Sequence, residues 1–250
     1  MSIIPIIATI ACFTAPLTVD VQTIGEKIWN NECGGVRENL THWGKGEEFA
    51  SFGIGHFIWY SQEKKGPFKE TFPQLLHFLE ERGEILPEWL KNNPPCPWSS
   101  REEFYEQFKS PQMTYLRNFL FKTRNLQALF MAERLKKKFP KMMTHVSPLE
   151  KRKAMREFNR LSKTPKGLYA LIDYLNFKGA GTSFSESYQG HRWGLLQVLL
   201  AMPSTGDEVV AFTETAKKIL TERVAFSPPE RNEKKWLPGW INRLNTYVEK

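Results

Sequence analysis

The 250-residue chain has no apolar run approaching the ~18–20 residues that cross a bilayer as a helix, and it has only three cysteines. The first absence argues against a helical membrane span, the second against a small disulfide-built scaffold. Cysteine and histidine nowhere stand at zinc-ligand spacing, so no metal is expected. No Gly-x-x-x-x-Gly-Lys-Ser/Thr phosphate loop occurs, and Gly-Ala-Gly-Thr at Gly179–Thr182 lacks the helix that such a loop needs. A Gly-x-Ser-x-Gly nucleophile elbow is missing too. No cofactor is expected.

What remains is ordinary globular composition, 41% apolar and 25% charged, with a basic excess of 35 over 27 that leaves a charge of +8. A basic chain favours anionic partners: nucleic acid, an acidic membrane surface, or a polymer such as a bacterial cell wall. The densest basic runs, Lys136-Lys137-Lys138, Lys151-Arg152-Lys153 and Lys234-Lys235, lie in segments of helical period and read as solvated helix faces. No zinc-finger spacing or aromatic RNA-binding signature accompanies them, so a nucleic-acid partner is not expected.

Residues 1–19 read as a leader. Ile3–Ala15 is apolar, uncharged and of h-region length, although no Lys or Arg precedes it. Thr9-Ile10-Ala11-Cys12 loosely resembles a lipoprotein processing site without its leading Leu. The competing reading is a buried first strand or helix. The expectation is an exported protein, periplasmic or secreted, with peripheral membrane anchoring through its N-terminus and a monomeric state. Cys33 and Cys96 then form an even pair that could bridge a 62-residue stretch in an oxidising compartment, contributing about 3–4 kcal/mol. In a reducing one they would be two buried thiols.

Residues 20–250 are expected to form a single α+β, predominantly α-helical domain with one small N-terminal β-hairpin and a helical C-terminal extension. Val21–Glu32 is a first helix, ended by Cys33-Gly34-Gly35. A polar stretch, Val36–Glu48, reads as a loop or loose hairpin and leads into Phe49–Tyr60, whose aromatic and β-branched residues around Gly53 and Gly55 read as a hairpin. Helices are predicted over 72–82, 102–109, 112–139 (closed by Pro140), 149–161, 166–176, 193–202, 207–226 and 240–248. Ser100-x-x-Glu103 reads as a capping box, and 178–190 as a loop.

One carboxylate stands out by position. Glu32 falls on the last turn of the first helix, where the negative end of the helix dipole disfavours its ionised form and burial against an aromatic such as Trp29 would add to the effect. That suits a general acid near neutral pH. On its own it is also what any polar residue at a helix end looks like. Twenty-one residues on stands Gly53-Ile54-Gly55-His56. The order of helix, acid, glycine, polar loop and Gly-x-Gly-His hairpin resembles the lysozyme-like superfamily, most closely phage-type lysozymes and endolysins. The resemblance is carried by Glu32, Gly34 and Ser51-Phe52-Gly53-Ile54-Gly55-His56, across about 35 residues from Ile24 to Tyr60.

The resemblance implies a lysozyme-like fold and a peptidoglycan-active glycosidase cleaving the β-1,4 glycan backbone, with Glu32 as general acid. His56 would orient Glu32 or the hairpin. The chain departs from the family at the second carboxylate. Phage-type enzymes carry an Asp in the loop and a Thr before the glycine pair, whereas this loop has no Asp and Ser51 stands at the Thr position. Glu48, with Glu47 second, is the candidate base or electrostatic stabiliser, and Ser51 could hold a water. In lytic transglycosylases one acid suffices, because a substrate hydroxyl closes the ring. Trp193-Gly194-Leu195-Leu196-Gln197 resembles the Gly-Leu-Met-Gln stretch of those enzymes, which makes Gln197 and Tyr188 candidate cleft residues rather than catalysts. Trp43, Trp59 and Tyr60, with Trp193, Trp236 and Trp240, are candidate sugar platforms, and Arg243 a candidate partner for a wall carboxylate. The alternative is a non-catalytic peptidoglycan-binding or envelope protein on the same scaffold. A basic helical nucleic-acid binder ranks last.

Overall fold

The computed structural model describes residues 7–12, 15–184 and 186–249, with side chains from residue 20 onward. The fold is α+β and predominantly helical, as expected. Among the described residues no helix is long and apolar enough to cross a membrane. Much of the leader expected over 1–19 lies outside the described residues. Within it, β1 (Ile7–Cys12) and β2 (Ala15–Asp20) pair as a two-stranded sheet. The chain divides into two compact units, one built mainly of Asp20–Met131 and the other of Ala8–Val19 and Ala132–Lys250.

In the first unit, Asp20 accepts from the Thr23 N–H and caps α1 (Val21–Cys33), whose Val21, Ile24 and Ile28 are buried on one face. Gly34 ends the helix in the left-handed conformation, φ 60°, its N–H donating to the Asn30 carbonyl at 2.9 Å. A 3₁₀ turn, Arg37–Leu40, occupies part of the expected loop and leads into a three-stranded antiparallel sheet of β3 (Thr41–His42), β4 (Ala50–Phe52) and β5 (Phe57–Trp59). Its register pairs His42 with Ser51, Ser51 with Ile58 and Phe52 with Phe57. The third strand is what sequence reading lacked: two residues are too short to show a period.

α2 (Phe72–Glu80) covers this sheet. Phe52 sits inside a ring of Trp59, Phe72, Trp98 and Phe104 with centroid separations of 4.9–6.2 Å. At α3 (Arg101–Glu106) half of the expected capping box forms: Ser100 accepts from the Glu103 N–H, while the Glu103 carboxylate turns to the Ser99 N–H and hydroxyl.

The single long helix expected over 112–139 is two, α4 (Pro111–Lys122) and α5 (Arg124–Met142). The break falls at Thr123, whose hydroxyl donates to the Phe119 carbonyl at 2.9 Å and competes with the helical ladder. Pro140 does not close the helix but sits inside its last turn.

The second unit holds α6 (Pro148–Leu161), α7 (Pro165–Lys178), β6 (Ser187–Tyr188), β7 (His191–Arg192), α8 (Leu195–Ala201), α9 (Glu208–Phe226) and α10 (Leu237–Asn245). The β6–β7 hairpin occupies the end of the stretch read as loop. α6 has a full capping box from Ser147 and Glu150, and Asp207 caps α9. The core gathers Tyr174, Phe212 and Tyr247 around a buried Asp173, which accepts two bonds from Arg243 at 2.8 and 2.9 Å and one from the Tyr247 hydroxyl at 2.6 Å.

Candidate functional site

The first unit brings the end of α1 against the turn between β4 and β5. Glu32 is 12% exposed, and its Oε2 lies 3.8 Å from His56 Nε2, which is also 3.5 Å from the Glu32 backbone carbonyl. On its other side His56 Nδ1 faces Ser51 Oγ at 3.4 Å, and Ser51 Oγ is 3.3 Å from the His42 carbonyl. His42 stands 6.3 Å from His56, ring to ring, with its Nδ1 3.4 Å from the Tyr105 hydroxyl. Burial, then the neighbouring His56, pushes the His42 imidazole below its ordinary value.

Backbone geometry holds this arrangement. His56 itself takes the left-handed conformation at φ 46°, uncommon for a residue with a Cβ, and this directs its ring back toward α1. Gly53 is also left-handed, at φ 73°, and a Cβ there would meet Gln127 Oε1 at 2.3 Å. That oxygen accepts from the buried Ile54 N–H at 2.9 Å, while Gln127 Nε2 donates to the Leu120 carbonyl at 2.7 Å and to Thr123 Oγ1 at 3.1 Å. One fully buried amide thus ties the Gly-Ile-Gly turn to the α4–α5 break.

The thiol next to Glu32 is inert. Cys33 is fully buried and free, and burial, then the charge of Glu32, pushes it up to about 12. Cys96 is likewise buried, free and at about 12, so the bridge considered between them is not formed.

Of the residues predicted for the site, Glu32, Ser51 and His56 come together and others do not. Glu48 is 67% exposed and pairs with Lys64 at 2.7 Å, while Glu47 accepts from the Gly44 N–H. Their place outside the cluster follows from the loop, which carries residues 43–48 past the end of β3 before β4 begins. Trp43 and Trp59 are core residues, 1% and 0% exposed, with indole N–H groups donating to the Glu47 and Pro94 carbonyls, so neither ring has a free face for a sugar. Tyr60 is 7% exposed and packs edge-on against Phe49. Trp29 packs edge-on against Phe121.

Tyr188 and Gln197 belong to the second unit, and both are occupied there. The Tyr188 hydroxyl donates to Glu233 at 2.7 Å, within a buried group in which Arg223 and Arg231 hold the same carboxylate. Gln197 accepts from the Gly194 N–H and donates to the Gly181 carbonyl, stapling the preceding loop to the start of α8. A Cβ on Gly181 would fall 1.8 Å from its Oε1. Arg243, considered for a wall carboxylate, is taken by Asp173.

Sequence reading missed His42, Tyr105 and Gln127. His42 and Tyr105 carry no spacing signal. Gln127 could have been noticed as a polar residue on the apolar side of a long helical pattern.

Chemically, the cluster offers a nearly buried carboxyl at a helix end, an imidazole to orient it and a hydroxyl able to hold a water. The described residues contain no group of three His, Cys, Asp or Glu placed to hold a metal ion. The chain matches no family model, no curated protein and no solved structure.

Proposed function

We propose that the chain is a glycosidase acting on the β-1,4 glycan strands of peptidoglycan, with Glu32 as general acid. The observation that carries the reading is the placement of Glu32, 12% exposed at the end of α1 and 3.8 Å from the imidazole of a Gly-Ile-Gly-His turn. Glycoside cleavage needs a proton delivered to the leaving oxygen as positive charge develops on the sugar ring. A carboxyl at a helix C-terminus, largely out of water, is disposed to hold that proton.

The Ser51 hydroxyl has one hydrogen and two acceptors within reach, the His42 carbonyl and His56 Nδ1. Nε2 faces the Glu32 backbone carbonyl at 3.5 Å, which can only accept, so that contact favours the tautomer with the hydrogen on Nε2 and Nδ1 accepting from Ser51. The same N–H is turned toward the Glu32 side chain at 3.8 Å and suits the carboxylate left after proton transfer. His56 is therefore a positioning residue.

Glu48 is engaged with Lys64, so the second half of the reaction falls to a water on Ser51 or to a hydroxyl of the substrate itself. The latter gives an anhydro sugar, as in lytic transglycosylases. The same surface ion pair favours a second reading, a peptidoglycan-binding protein that does not cleave. Incubating purified peptidoglycan with the protein and with Glu32→Gln, and analysing the soluble products by mass, separates the two. Fragments from the wild type alone support the enzyme. Retention on the polymer without release by either protein supports the binder. Export and a cell-wall partner belong to this proposal, carried by the basic balance and the chemistry of the site.

A further inference from the structure

Beyond the end of β5 a cavity of about 670 Å³ is lined by Tyr60, Ser61, Lys64, Lys65 and Phe68, and by Glu70, whose carboxylate is engaged by the Tyr60 N–H at 2.8 Å. Its volume lies within the range of small-molecule sites. Two features set it apart from an ordinary surface hollow. The Tyr60 and Ser61 hydroxyls are buried and have no hydrogen-bond partner among the described residues, although both residues are more than nine-tenths buried. Burial pushes the Tyr60 phenol up, keeping it a donor. Buried hydroxyls are normally paired, so each leaves a bond to be made.

The second feature is a run of edge-on aromatic contacts that ends in solvent. Tyr60 packs on Phe49 at 5.5 Å and Phe49 on Phe68 at 5.8 Å, yet Phe68 is 58% exposed. A large apolar ring held upright at a cavity rim offers the flat face that Trp43 and Trp59, sealed in the core, do not. Two ammonium groups stand beside it. Lys64 is shared with Glu48 in a surface pair, the kind of contact weak enough to be exchanged, and Lys65 is exposed.

We propose that this cavity binds an anionic saccharide, with its ring on Phe68, its carboxylate met by Lys65 and Lys64, and its hydroxyls paired with Tyr60 and Ser61. Gly66 closes over the phenol, where a Cβ would come within 2.5 Å of the Tyr60 oxygen, so the 64–68 segment shifts to let a ligand hydroxyl reach it. The identity of the sugar rests on the peptidoglycan reading, whose carboxylated unit is the lactyl-bearing one. The site itself does not involve Glu32.

The test is a titration of the full chain with N-acetylmuramic acid and with its neutral counterpart N-acetylglucosamine, followed by calorimetry and ligand-observed NMR. The expected result is a preference of about tenfold for the acidic sugar, the weight of one charge-assisted contact. Lys65→Glu abolishes that preference, Phe68→Ala weakens both sugars, and Glu32→Gln changes neither. Both substitutions are at exposed positions, and circular dichroism checks that the fold is kept. Absence of binding, equal affinity for the two sugars, or a preference that survives Lys65→Glu overturns the proposal. Binding lost in Glu32→Gln but kept in Lys65→Glu also overturns it, while leaving the glycosidase reading intact.

Discussion

At the scale of single residues, the chemistry of the site is decided by which side chains are shielded and which are spent. Glu32 and His56 face each other at 3.8 Å, whereas Glu48, the other acid that the sequence offers, is spent on Lys64. Ser51→Ala removes the hydroxyl between His42 and His56 and should lower turnover on peptidoglycan by up to ~100-fold, because the imidazole loses its partner at Nδ1. Glu48→Gln should leave turnover unchanged. Initial rates of muropeptide release check both. The two buried thiols allow a separate check. Held at about 12, Cys33 and Cys96 should not react with a thiol reagent at pH 8 in a folded Cys12→Ser background, and both should react in urea. Glu32 and Ser51 were legible because the local order of helix, acid, glycine and hairpin lies within 35 residues. The burial of Trp43 and Trp59 was not, since an aromatic in a strand looks the same whether it faces the core or a ligand.

At the scale of elements, the site depends on one helix break. Gln127 reaches the Ile54 N–H only because the chain interrupts its helix at Thr123, and Gly53 leaves just enough room for the amide. Gly53→Ala should therefore cost at least ~2 kcal/mol, through its left-handed backbone and the displaced Gln127, and should show as a lower urea midpoint. Gln127→Leu should cost about 1–3 kcal/mol, since a buried N–H loses its acceptor. Most helices could be placed from their period, their capping residues and their prolines. Helical period runs straight through Thr123, however, and a threonine bonding to its own helix leaves no mark in the sequence. The short strands β3, β6 and β7 were missed for a related reason. Two residues are too few to show alternation, and what identifies each strand is the partner opposite it: β3 lies against β4, and β6 meets β7 across the Gln189-Gly190 turn.

At the scale of the whole molecule, the two compact units differ in buried charge: among the described residues the first buries only the Arg117 guanidinium, bonded to Thr41 and the Phe108 carbonyl. In the second, Glu157 is bound by Arg156, Arg160 and Ser204, and Glu233 by Arg223, Arg231 and Tyr188. Burial alone would push both carboxyls up, but the hydrogen bonds and positive charges outweigh it, and both lie below the ordinary value of 4.5. A carboxyl lowered by folding stabilises the fold fully above its unfolded value and loses that contribution as pH falls through its folded one. Urea unfolding midpoints should thus hold steady near neutrality and fall below about pH 4.5. Glu233→Gln should be less stable at pH 6 by about 3 kcal/mol, because two guanidinium groups lose their partner, and its acid dependence should be shallower.

The +8 charge is a further whole-molecule property. Attraction to an anionic wall polymer should weaken as salt rises, so sedimentation of Glu32→Gln with insoluble peptidoglycan should decline between 50 and 300 mM salt.

The most direct test of the central claim is mass analysis of the soluble products formed from purified peptidoglycan by the wild-type chain and by Glu32→Gln. The account predicts muropeptides from the wild type and a loss of ~10²-fold or more in the variant, with its circular dichroism unchanged. Equal release by the two proteins would contradict it.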